Sequence, residues 1–319
     1  MKKSLILGIN GQDGILLSRL LNTQNISLVG VGNQESRSEN VPSSVSYYSV
    51  DVRETNKLLE LIKVQEVEAI YNLSGLSSVA QSFQDPQTTF EVNFDAVNSL
   101  LLALYRDKTN ASIKFFQCSS SEMFGAAADG PQHEKTTFNP QSPYAESKVK
   151  AHLACQEFRG QGFFVSCGIL FNHESIFRPE TFVTRKITSS IARIKLGLQQ
   201  KLSVGNLDAA RDWGAASDYV DAISRIMEHN APDDFVIATG KSHTVRDLVT
   251  LALRTVELEE SFNSIVEVDP KLLRKGDLKV TVGDASKISK EIGWRATTTF
   301  EELISEMVHF DLNLNLPRR

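Results

Sequence analysis

The chain has 319 residues, of which 41% are hydrophobic and 23% are charged, and this composition excludes a disordered chain, a collagen-like fibre and a disulfide-stapled miniprotein. Its 34 lysines and arginines against 39 acidic residues give a formal charge of −5, so neither nucleic acid nor an anionic membrane is an expected partner. The three cysteines lack metal-ligand spacing, which predicts reduced thiols and no metal site. No apolar run reaches membrane-spanning length, and the N-terminal apolar stretch breaks at Gly8, so we predict a cytoplasmic protein.

The first half of the chain alternates short apolar runs with amphipathic segments, which is the pattern of a parallel sheet with crossover helices. Strands are predicted at residues 4–8, 27–31, 45–50, 69–73, 113–118 and 163–170. Helices are predicted at residues 14–22, 56–64, 92–106 and 144–159, where apolar residues recur on one helical face. Six strands with helices on both faces predict an α/β fold built on a doubly wound, parallel Rossmann-type sheet.

The rhythm changes after Leu170, and the second half predicts a smaller α/β lobe. Residues 171–180 are polar, contain a proline and show no period, so we predict a loop at the edge of a cleft. Helices are predicted at residues 182–198, 218–229, 245–256 and 300–310, and strands at 235–238 and 265–268. The strand at 235–238 is a candidate to rejoin the first sheet.

Three glycines, Gly8, Gly11 and Gly14, follow the first strand and open the first helix. Glycines permit a tight turn and the close approach of backbone N–H groups to a pyrophosphate, which the helix N-terminus also stabilises. Because the motif stands between the first strand and the first helix, we predict that this turn, with Gln12 and Asp13, binds a dinucleotide.

Other turns at the same edge of the sheet provide candidate cofactor contacts. Asp51 and Val52 follow the third strand, where a contact with adenine is expected, and the residues after the fourth strand are expected to pack closely beside the cofactor. These residues are Leu73, Ser74 and Gly75. The turn at residues 31–37 has neither an acidic residue at the position for a ribose 2′-hydroxyl nor an arginine at the position for a 2′-phosphate, although Arg37 is near. NADP and NAD both stay open at this point.

A tyrosine and a lysine four residues apart, Tyr144 and Lys148, lie on one face of a predicted helix. Ser120 ends the fifth strand, at the carboxyl edge where such sheets bind ligands. A nearby ammonium group and an oxidised nicotinamide are expected to lower the pKa of Tyr144, so that it acts as a base while Ser120 holds the same substrate oxygen. This set predicts oxidation of a carbinol by hydride transfer. Glu122 is then expected to remove a proton α to the new ketone.

Longer segments in both halves carry a further signal. They are QCSSSEMFG (117–125), SPYA (142–145), GILFNHES (168–175), ETFVTRKI (180–187), ARIKLGL (192–198), GNLDA (205–209) and RDWG (211–214). Over nearly its whole length the chain resembles the GDP-mannose 4,6-dehydratase family, which belongs to the extended short-chain dehydrogenases/reductases. The resemblance implies a hydro-lyase that oxidises a GDP-sugar at C4, removes water across C5 and C6, and retains its nicotinamide cofactor.

The resemblance also implies roles for individual residues. Catalytic roles are implied for Ser120, where the family usually has threonine, and for Glu122, Tyr144 and Lys148. Cofactor contacts are implied for His173 and Arg178, and substrate contacts for Asn172, Lys186, Arg211 and Arg274. Residues 1–170 then form the dinucleotide-binding domain, and residues 171–319 form mainly the nucleotide-sugar-binding lobe. A homo-oligomer, either a dimer or a tetramer, is expected.

Some residues depart from the family pattern. Asn33 and Gln34 stand where the family usually has consecutive arginines that contact the 2′-phosphate and a neighbouring subunit. NADP is the cofactor that the resemblance implies, and NAD is the alternative. Residues 176–179 and 274–277 also replace family strings beside the substrate, so we expect either GDP-mannose or a close GDP-hexose or GDP-heptose as substrate.

Two other functions are compatible with this scaffold. A GDP-4-keto-sugar reductase or epimerase is one, but a plain reductase has no need of a base at C5, which argues against it where Glu122 is present. A non-catalytic, dinucleotide-binding regulator is the other. The complete set of Ser120, Tyr144 and Lys148 argues against a regulator.

Overall fold

A computed structural model describes residues 3–107, 112–125, 130–273 and 280–316. Within these ranges the main sheet has seven strands in the order β10-β6-β5-β4-β1-β2-β3, and every neighbouring pair is parallel. The strands of this sheet are β1 (Lys3–Leu7), β2 (Ser27–Gly32), β3 (Ser46–Ser49), β4 (Ala69–Asn72), β5 (Lys114–Ser120), β6 (Val165–Leu170) and β10 (Asp234–Ile237). The sheet order reverses between β1 and β4, where doubly wound folds bind ligands.

Helices cover both faces of this sheet, which explains its near-continuous apolar strands. The helices of the first half are α1 (Gln12–Thr23), α2 (Thr55–Val64), α3 (Val79–Gln84), α4 (Pro86–Phe90), α5 (Ala96–Arg106) and α6 (Pro143–Gly160). Apolar residues of α2, α5 and α6 form the core on one face, while α1 and α8 (Ala216–Glu228) supply the core on the other. The edge strand β3 is partly exposed, in keeping with its polar Ser-Tyr-Tyr-Ser sequence. The predicted Rossmann-type fold class is confirmed.

Other elements of the second half form a smaller lobe beside the carboxyl edge of the sheet. Its strands are β7 (Asn172–Glu174), β8 (Leu202–Val204), β9 (Ala210–Ala215), β11 (Ser242–Thr244) and β12 (Val266–Val268), paired as β11-β9-β7 and β12-β8. Its helices are α7 (Val183–Lys195), α9 (Val245–Thr255), α10 (Phe262–Ile265) and α12 (Phe300–Asn315), whereas Ile288 of α11 (Ser286–Ile292) packs in the core on the α1 and α8 face of the main sheet. Apolar residues of α7, α9 and α12 pack together as a separate core.

One element differs from the sequence-based expectation, and another agrees with it. Residues 171–180 were expected to be a loop, but β7 lies within them, because Asn172–Glu174 pairs in parallel with residues 213–215 of β9. A polar three-residue strand has no period of its own to reveal it. Strand β10, near the predicted 235–238, pairs in parallel with β6 and so belongs to the main sheet. The division of the chain into domains at residue 170 stays a prediction.

Helix ends follow their capping residues. α12 begins with a capping box of Thr299 and Glu302 and extends five residues beyond its predicted end at residue 310. α7 ends at Lys195, before Gly197 adopts a positive φ of 72°. The predicted helix at 92–106 contains a π-helical turn at Glu91–Asp95 that precedes α5.

Within the part of the chain that the structure describes, no helix combines the length and the apolar character needed to cross a bilayer.

Candidate active site

The backbone of the glycine turn after β1 packs closely against the backbone of the turn after β4. Gly8 has a φ of +84°, and a Cβ atom at this position would lie 2.9 Å from the Cα atom of Ser74, in the turn after β4. A Cβ atom on Gly14 would lie 2.4 Å from the carbonyl oxygen of Gly8. The turn therefore requires glycine at both positions. The N–H of Leu73 donates to the Leu7 carbonyl (3.0 Å), which fixes the turn after β4 beside it.

Helix α1 begins at this turn with a cap that leaves room for an anion. Its N-cap residue, Gly11, has no side chain that could occupy the helix N-terminus, and its N–H donates to the Gly8 carbonyl (3.0 Å). Helix N-termini carry partial positive charge and exposed N–H donors, which suit a pyrophosphate. The geometry of Gly8, Gly11 and Gly14 therefore fits the predicted dinucleotide.

The crowding around Gly14 leads to a testable expectation. Replacing Gly14 with alanine forces the backbone of the turn apart, and we expect a loss of about 1–3 kcal/mol in the free energy of unfolding together with loss of dinucleotide binding. Gly160 at the end of α6 is the matched control, since a Cβ atom there meets nothing within 4 Å. Thermal denaturation and equilibrium binding of NADPH and NADH measure both effects. A Gly14→Ala protein that binds like Gly160→Ala would contradict the assignment of the turn.

The predicted catalytic side chains meet at the carboxyl end of β5. Ser120, the last residue of β5, forms a side-chain hydrogen bond with Tyr144 in the first turn of α6. One turn later, Lys148 Nζ donates to the carbonyl oxygen of Cys118 (3.0 Å). Its Nζ also lies 3.4 Å from the position of a Cβ atom on Gly75, so the glycine leaves space above the lysine. All three side chains are buried or nearly so.

Burial sets the protonation of this group. The pKa of Tyr144 is raised, chiefly by burial and also by Glu122, while the Ser120 hydrogen bond and Arg178 oppose the shift. Burial likewise lowers the pKa of Lys148. In the protein without cofactor, the desolvation of a buried phenolate therefore outweighs the opposing charge of Arg178, and the lowering of the pKa of Tyr144 by a bound oxidised nicotinamide stays a prediction.

Glu122 lies two residues after Ser120, in the 3-10 turn Ser121–Phe124. Its backbone N–H donates to Ser120 Oγ (3.3 Å), and its carboxylate is close enough to Tyr144 to raise the pKa of that phenol. The side chain is half-buried. A carboxylate in this place can accept a proton from a carbon atom of a substrate whose hydroxyl group contacts Tyr144.

A network of side chains joins the glycine turn to β7. His173 Nε2 lies 3.0 Å from Asp13 Oδ2, and Gln12 Nε2 donates both to Asp13 Oδ1 (3.1 Å) and to the His173 carbonyl (3.1 Å). Ser175 Oγ donates to Gln12 Oε1 (2.9 Å). The predicted cofactor residues Gln12, Asp13 and His173 are thus brought together, although they come from opposite halves of the chain.

Arg178 lies between this network and Tyr144. Its charge acts on the pKa values of Asp13, His173 and Tyr144, and its guanidinium stacks 3.7 Å from the ring centre of Phe182. Arg178 Nε is 3.2 Å from a carboxylate oxygen of Glu174, but its N–H is not directed at that oxygen and the atom is buried without a hydrogen-bond acceptor. A buried cationic donor of this kind fits an anionic ligand such as a dinucleotide phosphate.

The turn after β2 lacks a carboxylate at its first position. Arg37 Nη1 donates to the carbonyl oxygens of Pro42 (2.6 Å) and Val45 (3.5 Å), and the exposed Gln34 accepts a hydrogen bond from Asn10 Nδ2 (2.9 Å). The arginine is therefore held by neutral acceptors of its own loop.

A second buried cluster lies behind Lys148, further along α6. His152 Nδ1 is 2.9 Å from Ser119 Oγ, and the His152, Cys167 and Asp234 side chains converge within 4.8 Å, a spacing that metal ligands can have. Arg159 donates to Asp234 and approaches Cys167 Sγ (3.8 Å), so a guanidinium already supplies the cation for this cluster. We therefore interpret the cluster as the anchor of α6 on β5 and β6.

Comparison with known proteins agrees with this geometry. The family described as GDP-mannose 4,6 dehydratase matches residues 5–307. A GDP-mannose 4,6-dehydratase from Yersinia enterocolitica is 37% identical over 351 aligned positions that cover 98% of this chain and 94% of that protein. The chain belongs to the GDP-mannose 4,6-dehydratase family. The predicted resemblance is confirmed.

Solved structures with less sequence similarity share the fold. DesIV, a dTDP-glucose 4,6-dehydratase from Streptomyces venezuelae solved with NAD and TYD bound, is 20% identical with a TM-score of 0.85, and the match covers 98% of this chain and 97% of that one. RMD from Pseudomonas aeruginosa, solved with NADPH, is 24% identical with a TM-score of 0.83, covering 98% of this chain and all of that one. At these identities the structural similarity establishes the fold of this chain and nothing about its function.

The remaining predicted residues of this dehydratase family member are more dispersed. The Asp51 carboxylate pairs with Arg53 (2.7 Å) and Val52 packs against the core, and their contact with adenine stays a prediction. Asn172 lies in β7 and Lys186 in the first turn of α7. Arg211 is buried in β9, where Nη1 donates to the Ala210 carbonyl (2.9 Å). Arg274 lies outside the described residues.

Asn93 is a site residue that the sequence analysis missed. It lies in the π-helical turn, where its amide donates to the Leu76 carbonyl (3.1 Å) and to Ser147 Oγ (3.2 Å) and accepts from the Leu76 N–H (2.9 Å). Asn93 thereby ties the turn after β4 to helix α6 between Tyr144 and Lys148. Single-turn π-helices are frequent at functional sites, but their sequences resemble ordinary helices, so only the structure reveals this one.

Proposed function

We propose that the protein is a GDP-sugar 4,6-dehydratase that converts GDP-mannose or a close GDP-sugar to the GDP-4-keto-6-deoxy sugar. Membership of the dehydratase family supports GDP-sugar 4,6-dehydration. The observation that carries the proposal is the meeting of Ser120, Glu122, Tyr144 and Lys148 at the end of β5, beside the glycine turn. This arrangement combines a base for an alcohol, a base for a carbon acid and a dinucleotide site.

The residues that would hold a nicotinamide dinucleotide are Gly8, Gly11, Gly14 and Arg178 at the phosphates and Lys148 at the nicotinamide ribose. The two solved structures of similar fold described above, one with NAD and one with NADPH, support a nicotinamide cofactor of either kind. When bound in its oxidised form, the nicotinamide supplies a hydride acceptor and a positive charge that opposes the effect of burial on the pKa of Tyr144.

The chain's own residues then account for the proton transfers. Tyr144 accepts the proton of the sugar 4-hydroxyl, and the Ser120 hydroxyl holds the same oxygen as it becomes a carbonyl. The new C4 ketone acidifies the C5 proton, which Glu122 removes and passes to the C6 hydroxyl so that it leaves as water; C5 takes up a solvent-derived proton when C6 receives the hydride. Since the hydride taken from C4 returns to C6, the reaction is redox-neutral overall.

The GDP diphosphate needs cations in the smaller lobe. We propose Asn172, Lys186 and Arg211 as its contacts, together with Arg274, because guanidinium and ammonium groups form charge-assisted hydrogen bonds with phosphates. The predicted homo-oligomer and cytoplasmic location stay predictions.

Incubation with GDP-sugars tests the reaction directly. The purified protein, without added cofactor, is mixed with GDP-mannose and with related GDP-hexoses and GDP-heptoses, and mass spectrometry follows the nucleotide sugar. We expect the loss of one water from one of these substrates. Reduction or epimerisation without loss of water would instead support the alternative function.

The cofactor itself is proposed to be NADP, with Arg37 as the residue that binds its 2′-phosphate. Arg37 is held by neutral carbonyls, and a charge-assisted bond to a phosphate is stronger than such a bond, so the side chain can exchange partners. We expect NADP(H) to be released from the denatured protein, and Arg37→Ala to weaken NADPH binding about tenfold while NADH binding is unchanged. Arg106→Ala, at an exposed position of α5, is the control. Equal affinity of Arg37→Ala and the native protein for NADPH would contradict this assignment.

A further inference from the structure

The glycine turn of this protein contains a carboxylate where a dinucleotide phosphate is expected to bind. Asp13 is the second residue of α1, directly after the Gly11 cap and Gln12. A carboxylate here interacts favourably with the helix N-terminus, but the same positive field is what attracts a pyrophosphate. An uncompensated Asp13 would therefore repel the phosphates of the dinucleotide.

His173 is placed to compensate this charge, and its hydrogen bonds define its protonation. Its Nδ1 lies 2.7 Å from the Phe171 carbonyl oxygen and its Nε2 lies 3.0 Å from Asp13 Oδ2. Both partners are acceptors only, whereas a neutral imidazole carries one N–H. Both contacts are hydrogen bonds only when the ring is the doubly protonated imidazolium. The ring is held flat against Tyr219, with 4.7 Å between ring centres.

Three other side chains, Arg178, Glu174 and Tyr219, surround this ring and its partner Asp13. Arg178 contributes a positive charge from the loop after β7, and Glu174 contributes a negative charge that pairs with it at 3.2 Å. Tyr219 from α8 is a neutral phenol whose pKa is raised by burial. Arg178 also stabilises the Asp13 carboxylate from a distance, but His173 is the titratable group in direct contact with that carboxylate, so its proton decides how completely the charge of Asp13 is balanced.

We propose that protonated His173 is a positioning residue that neutralises and orients Asp13 in the glycine turn, so that dinucleotide affinity falls as His173 loses its proton with rising pH. This inference rests on the dinucleotide site of the proposed function, and it adds a pH-dependent control of cofactor retention. His173 acts through Asp13 rather than on the reacting atoms.

The direction of the pH effect follows from the surroundings of the ring. Burial lowers the pKa of His173, but the Asp13 carboxylate and the Phe171 carbonyl together raise it, and the net shift is upward. The proton is therefore present at and below the ordinary titration range of histidine. It is lost only as the pH rises through the raised pKa, and dinucleotide binding weakens over that interval.

Equilibrium binding of NADPH and NADH, followed by nicotinamide fluorescence from about pH 6 to about pH 9, tests the inference. We compare the native protein with Asp13→Asn, His173→Gln and the double variant. The native protein should lose about tenfold in affinity across this range, which corresponds to about 1.4 kcal/mol. The affinity of Asp13→Asn should not change with pH over this range, because this variant has no carboxylate to neutralise.

The two remaining variants distinguish charge from packing. His173→Gln should bind about tenfold more weakly at low pH and show no native-like pH dependence, and Asp13→Asn in the same chain should restore its affinity. NMR titration of the His173 ring should show a lower pKa in Asp13→Asn than in the native protein. His309→Gln, on the exposed face of α12, controls for the general effect of losing a histidine.

The outcomes separate this inference from the proposed function. If the native protein binds neither dinucleotide at any pH, the proposed function itself is wrong. If it binds, but Asp13→Asn retains the native pH dependence or fails to restore His173→Gln, then His173 has only a packing role and the inference is overturned. Thermal denaturation at each pH verifies that every variant compared is folded.

Discussion

Replacement of Tyr144 with phenylalanine is expected to lower the turnover of the GDP-sugar by about 100- to 10,000-fold, the usual contribution of a general base. The change removes only the hydroxyl that hydrogen-bonds with Ser120, so the buried ring and the fold are retained. Lys148→Ala should have an effect of similar size, because the ammonium group that lies at the Cys118 carbonyl is lost. Dehydration of the GDP-sugar is measured by mass spectrometry under single-turnover conditions.

Matched variants make this prediction specific. Tyr105→Phe changes an exposed tyrosine of α5, and Lys150→Ala changes an exposed lysine on the same helix as Lys148. Both should turn over at the native rate. Native rates in Tyr144→Phe would show that another group takes the 4-hydroxyl proton, and circular dichroism distinguishes a loss of chemistry from a loss of structure.

Replacement of Glu122 with glutamine is expected to separate oxidation from dehydration. Glutamine has the same shape as glutamate but cannot accept the C5 proton, while Tyr144 and Ser120 remain in place to support oxidation at C4. The variant should therefore bind the GDP-sugar, accumulate reduced cofactor with a 4-keto sugar, and form 6-deoxy product about 100-fold or more slowly. Absorbance of the reduced nicotinamide and mass analysis of the sugar measure the two stages.

Deuterated water gives a second measure of the same step. The native enzyme should incorporate solvent deuterium at C5 during turnover, because a half-buried carboxylate exchanges its proton with solvent. Glu146→Gln, at an exposed position of α6, should behave like the native enzyme. If Glu122→Gln forms 6-deoxy-4-keto product at the native rate, Glu122 has only a structural role and the base at C5 must be sought elsewhere.

The elements of the main sheet and the catalytic residues could be predicted because their signals are local. The glycine turn follows an apolar strand directly, and Tyr144 and Lys148 are one helical turn apart, so both patterns lie within a few residues of sequence. The segments that identify the dehydratase family are likewise continuous. Short continuous stretches of sequence were therefore sufficient to predict these features.

Other features depend on which segments pack together, and only the tertiary structure decided them. Asp13 and His173 are 160 residues apart, and their contact exists because β7 lies beside the turn after β1. Strand β7 itself is polar and becomes a strand only by pairing with β9. The upward shift in the pKa of Tyr144 has the same origin, since the desolvation of a side chain is determined by the neighbours that exclude water from it and not by its own sequence.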